Sequence, residues 1–139
     1  MGDRCRLTGF EADARGDRVR KKKETESFLP LTVAMFHILL ALADGEKHGY
    51  AILKEVARRT EDKVRLSAGT LYGNLSRLEG AGLIAESKVR PDLVLDDERR
   101  RYYLLTAFGR EVLVAEAERM EEALGQARAK KLFRKPKLA

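Results

Sequence analysis

Apolar residues recur along the chain in different rhythms, and each rhythm predicts an element. From Pro30 to about Ala43 they run almost without a break and stop at Asp44-Gly45. This predicts a helix opened by proline, apolar on nearly every side and so buried, partly in its own domain and partly against a second subunit. From about His48 to Arg59, Tyr50, Ile52, Leu53, Val56 and Ala57 alternate with Lys54, Glu55, Arg58 and Arg59, the spacing of an amphipathic helix with the first five side chains inward. A third, shorter helix follows from Ser67, its expected N-cap: Leu71, Leu75 and Leu78 fall at i, i+4 and i+7, and Gly80 and Gly82 end it. The connection between these two helices, residues 60–66, is longer than the three or four residues of a minimal helix-turn-helix, and Val64 and Leu66 add a short extended segment.

After Gly82 the pattern becomes alternating. Residues 83–90 read as one strand and residues 99–105 as a second, antiparallel to it. Thr106 then caps a long last helix, in which Leu113, Ala117, Met120, Leu124 and Ala127 recur at spacings of four and three, a seam that calls for a partner. The expected order is α-α-α-β-β-α, mainly α with a small β-wing. This is a winged helix-turn-helix with a C-terminal dimerisation helix, in which Phe36 of the first helix joins the five seam residues. The expected organisation is a flexible charged arm over residues 1–28, the winged helix over 29–106, the dimerisation helix over 107–131 and a basic tail over 132–139.

Composition narrows the function. The 139 residues suit one domain. Lys and Arg total 28 against 22 Asp and Glu, a formal charge of +6 that favours a polyanionic partner. In the arm, acids nearly cancel the run Arg20-Lys21-Lys22-Lys23, so a solvated tail is expected there. Cys5 has no second cysteine to pair with, and no apolar run approaches the ~18 residues of a membrane span. A cytoplasmic chain with no membrane contact follows. His37 and His48 are the only histidines, and no metal-ligand spacing, phosphate-binding glycine loop or nucleophile elbow is present, so neither catalysis nor a cofactor is expected.

The third helix carries the most informative surface. Opposite its leucines stand Thr70, Gly73, Asn74 and Arg77, small or hydrogen-bonding residues with one guanidinium. In a major groove, Asn74 suits an adenine edge and Arg77 a guanine edge, while Ser67, Thr70 and Tyr72 suit phosphates. Tyr50 and Lys54 on the second helix can hold the adjoining backbone, and Lys88, Arg99 and Arg101 the base of the wing. Arg100 is expected to point the other way by strand alternation. Tyr50 and Tyr72 also suit the edge of a core. Gly73 stands where a helix former is worth about 1 kcal/mol more, which suggests close backbone approach to a duplex.

Four segments, I-L-L-A-L-A-D-G-E-K-H-G-Y (38–50), S-A-G-T-L-Y (67–72), L-S-R-L-E-G-A-G-L-I (75–84) and R-R-R-Y-Y-L-L-T-A-F-G-R (99–110), together resemble the PadR-like transcriptional regulators. The resemblance spans about Leu31 to Lys131 and implies a winged-helix homodimer that packs its first and last helices together and represses neighbouring genes; two identical recognition helices about a twofold axis would read a palindromic operator. Two departures stand out. The wing tip, Asp92 to Glu98, is acidic and aliphatic where the family has glycine. The last helix has no aromatic residue between Phe108 and Phe133, so no residue can be named for an inducer of the planar kind that some relatives bind. The alternative reading is a winged-helix module that binds protein through the Leu93-Val94-Leu95 tip, without specific DNA binding.

Overall fold

A computed structural model of the protein describes residues 22–87 and 101–134. Its elements are α1, described over residues 22–27, α2 (Val33–Leu42), β1 (Lys47–His48), α3 (Gly49–Arg59), α4 (Ala68–Gly80), β2 (Ile84–Ser87), β3 (Tyr102–Leu105) and α5 (Ala107–Ala129). The mainly helical winged-helix architecture expected from the sequence is present, with two additions. Residues 22–27 form a helical segment with Thr25 buried, inside the stretch read as a charged arm. Lys47 and His48 form a strand against Tyr103 and Tyr102, so the sheet has three antiparallel strands in the order β1-β3-β2. Two residues are too few to leave an alternation signal, and this strand exists only through its pairing with β3.

The two strands are antiparallel as expected, in a register that sets Ile84 opposite Leu105 and Ser87 opposite Tyr102. The starts of α2, α3, α4 and α5 are each fixed by a side chain that accepts an otherwise orphaned backbone N–H. Thr32, His48, Ser67 and Thr106 accept from Met35, Ala51, Thr70 and Gly109 respectively. Between α3 and α4, residues 60–66 form a turn and no strand. Glu61 (φ 52°) and Asp62 (φ 63°) adopt left-handed backbone, and the Thr60 hydroxyl donates to the Val56 carbonyl at 2.8 Å while accepting the Val64 N–H at 3.1 Å.

The core sits where α2, α3, α4 and α5 meet the sheet. Ile38, Leu39, Ile52, Val56, Leu71, Leu75, Leu78, Leu83, Ile84 and Val112 are fully buried there. The leucine stripe of α4 thus does what its spacing predicted. Tyr50, read as an inward residue of α3, is instead 57% exposed, because it lies in the first turn, ahead of the part of the helix that Ile52 and Val56 press into the core. Within the chain α2 is covered on one side: Ile38, Leu39, Ala41 and Leu42 are buried, while Val33 is 62% exposed.

The base of α5 is locked to the sheet. Thr106 donates its hydroxyl to the Gly82 carbonyl at 2.7 Å and accepts the Gly109 N–H at 2.9 Å. Gly109 packs so tightly that a Cβ there would stand 1.9 Å from the Leu83 carbonyl oxygen. Two turns later the buried Glu116 carboxylate accepts the Leu31 N–H ahead of α2 and pairs with Arg119, tying the approach to α2 to the middle of α5. Past Glu116, α5 has no fully buried residue. Of the expected seam, Leu113 already belongs to the chain's own core, Met120 and Ala127 are half-buried, and Ala117 and Leu124 are exposed. Phe36 is half-buried against the core. Among the described residues, no helix is long and apolar enough to cross a membrane.

Candidate nucleic-acid interface

The outer face of α4 is built by subtraction. Leu71, Leu75 and Leu78 hold one side of the helix in the core, and the opposite side carries Gly69, Gly73, Ser76 and Gly80 at spacings of four, three and four. A Cβ placed on any of the three glycines would meet nothing within 4 Å. The intramolecular packing therefore gives no reason for these glycines, although each costs the helix about 1 kcal/mol relative to alanine. The sequence reading singled out Gly73; the stripe becomes visible once the buried face fixes the helix's rotation.

Polar groups flank the stripe. Ser67 donates its hydroxyl to Thr70 Oγ1 at 2.9 Å and accepts the Thr70 N–H at 3.1 Å, so both hydroxyls sit exposed at the helix N-terminus. Asn74 donates from its amide to the Thr70 carbonyl at 2.7 Å, which folds that donor back on the helix and leaves its remaining polar groups for an incoming partner. Arg77 is exposed, and among the described residues no acid pairs with it.

Tyr50, Lys54 and Tyr72 come together at the start of α3. Lys54 Nζ stands 4.6 Å above the Tyr50 ring, a cation-π contact that keeps the ammonium at the surface, and the His48 ring lies parallel to that of Tyr50 at 6.5 Å. Tyr72, 54% exposed, reaches across from α4 to lie over Gly49, where an added Cβ would stand 2.9 Å from its hydroxyl oxygen. A side chain at 49 would thus displace the Tyr72 ring from this position, and both tyrosines present hydroxyls outside the core. Arg101, exposed just ahead of β3, shares a cleft with Tyr72 and Ser76. Lys88 and Arg99, together with Arg90, Arg100 and the acidic tip, lie outside the described residues.

Two residues of this face were missed by sequence reasoning. Ser76 lies on the glycine stripe, a position that helical phase alone reveals. Arg65, with its side chain 79% exposed just before α4 and 3.8 Å from Asp62, sits in a loop whose polarity looked unremarkable. His37, on α2, has its Nδ1 buried with no hydrogen-bond partner among the described residues. Burial first, and the Arg59 charge second, hold its pKa below the usual imidazole value. Among the described residues, no group of three or more His, Cys, Asp or Glu is placed to hold a metal ion.

The sequence model of the Transcriptional regulator PadR-like family matches residues 38–115 of this chain. A curated relative, the transcriptional regulator Rv3488 of Mycobacterium tuberculosis, is 40% identical over 86 residues, which cover 62% of this chain and 74% of that protein. A 37.1 kDa protein in transposon TN4556 of Streptomyces fradiae is 41% identical over 93 residues, 67% of this chain but only 24% of its own length. Among solved structures, a PadR family transcription regulator from Clostridium difficile superposes with a TM-score of 0.60 at 26% identity, covering 70% of this chain and 97% of that one.

Proposed function

The chain belongs to the Transcriptional regulator PadR-like family, and from that premise we propose that it is a repressor, acting as a homodimer that places its two α4 helices in successive major grooves of a palindromic operator. The observation that carries this reading is the outer face of α4, bare of side chains along its apex and flanked by Ser67, Thr70, Asn74 and Arg77, on a helix whose other face is wholly buried. In such a pose Asn74 and Arg77 read base edges, Ser67, Thr70 and Tyr72 bind phosphates, and Tyr50, Lys54 and Arg101 hold the neighbouring backbone. Lys88 and Arg99 add charge at the wing. The dimer reading rests on the distal half of α5, where Met120, Leu124 and Ala127 form an apolar row that the chain covers only in part, with Leu124 49% exposed. Phe36 and Ala117 complete that contact in the proposed dimer. An inducer that alters the distance between the two α4 helices would release the DNA.

A twofold arrangement predicts half-sites about one helical turn, ~34 Å, apart. Footprinting on the protein's own upstream region should show two symmetric protections, and Arg77→Ala should relax preference at one position per half-site at a cost of about 1–3 kcal/mol. A single asymmetric protection, or a monomer by sedimentation at the concentrations that bind, contradicts the reading. Leu124→Asp should yield that monomer and lose the footprint with it.

A further inference from the structure

A cleft of about 510 Å³ opens between the C-terminal half of α4 and the start of β3, walled by Tyr72, Ser76, Glu79, Gly80, Arg101 and Tyr103. We propose that this cleft seats one backbone phosphate of the duplex, with Ser76 and Tyr72 as hydroxyl donors and Arg101 as the cation, and that Glu79 is the competing anion which keeps the seat weak. The proposal rests on the DNA-binding reading above.

Geometry selects the ligand. When a helix lies in a major groove, the sugar-phosphate strands that border the groove run along its flanks. On the flank of α4 that faces β3, the surface such a strand meets is this cleft. Its rim is open, since Ser76 is exposed and a Cβ on Gly80 would meet nothing within 4 Å. Its chemistry is that of a phosphodiester site: two hydroxyl donors and one guanidinium, the groups that fix register without reading sequence. The acid is the exception. Glu79 and Arg101 act on the same buried phenol, Tyr103, whose pKa is raised by burial first and by Glu79 next, and lowered by Arg101. Both charges also line the cleft, so an arriving phosphate enters beside the carboxylate to reach the guanidinium. An acid in a phosphate seat makes every duplex bind less tightly by a similar factor, which leaves discrimination to Asn74 and Arg77.

The test uses the full chain and a fluorescein-labelled duplex of about 30 base pairs with random sequence, read by anisotropy across a salt series, because phosphate contacts act on any sequence. At about 50 mM salt, Ser76→Ala should weaken binding about fivefold and Glu79→Gln should tighten it about threefold, and Arg101→Ala should lower the salt slope by about one. Circular-dichroism melts check that each exposed substitution leaves the fold intact. Ser76→Ala and Glu79→Gln both within twofold of the parent, on a parent that binds, would overturn the cleft assignment and leave the α4 reading standing. A Ser76→Ala loss confined to one selected sequence makes Ser76 a base contact and also overturns it. A parent that binds no duplex at all removes the DNA reading and this proposal together.

Discussion

Replacing Gly73 with alanine adds one methyl group to the outermost line of α4, and the structure separates its effect on the free protein from its effect on the complex. In the free chain the new Cβ meets no atom within 4 Å, and Gly73 has ordinary helical backbone, so no strain accompanies the change. What remains is helix propensity: glycine is about 1 kcal/mol worse than alanine in a helix interior, so the variant should be more stable by about that amount and melt about 3–6 °C higher for a domain of this size. In the complex, a duplex that lies against the bare backbone has no room for the methyl group. Overpacking costs about 1–3 kcal/mol, which is fivefold or more in Kd. The two assays are a thermal melt and anisotropy with the operator duplex, performed on the same preparation. A higher Tm with unchanged DNA affinity would refute the argument that close approach explains the glycine. A lower Tm would refute the reading of the site as open space.

Other substitutions probe other joints. Gly109→Ala, the same chemical change, should do the opposite to stability: its Cβ would stand 1.9 Å from the Leu83 carbonyl oxygen, a backbone atom that cannot swing aside, so a loss of about 3 kcal/mol or more is expected in urea unfolding. Glu116→Ala strips the Leu31 N–H of its acceptor and Arg119 of its partner in a buried place, costing about 2–4 kcal/mol, while Glu116→Gln, which keeps an acceptor, should cost less. His37 gives a pH signature. Its folded pKa lies below the unfolded value near 6.5, so the unfolded chain takes up the proton first; the contribution to stability is complete above that value and is lost as pH falls towards the folded pKa. His37→Gln should flatten the fall in Tm between neutral and mildly acidic buffer, and an unaltered slope would assign that fall to other groups.

Which parts of this protein were legible in its sequence follows from the reach of each interaction. Helix caps and helix phase act over three or four residues, and Ser67, Thr106 and the stripe Leu71, Leu75 and Leu78 therefore announced α4 and the start of α5 directly. The strand pairing of residues 84–87 with 102–105 was equally readable, because alternation and a capped helix bracket it. Spacing misled where burial depends on neighbours: Leu113 counted towards an intermolecular seam, although Val112 and Leu113 close the chain's own core. Long-range contacts decided the remainder. The pairing of Lys47 and His48 with β3, the Tyr72 ring over Gly49, the Gly109 contact with Leu83 and the meeting of Ser76, Glu79 and Arg101 in one cleft each join residues from separate elements, and local pattern carries no record of such meetings. The amino-acid order settled which helices and strands exist and which face of each is apolar, since those preferences are local free energies. Only the tertiary packing, by fixing the rotation of α4 against the core and β3 beside it, decided which small and polar side chains share one surface.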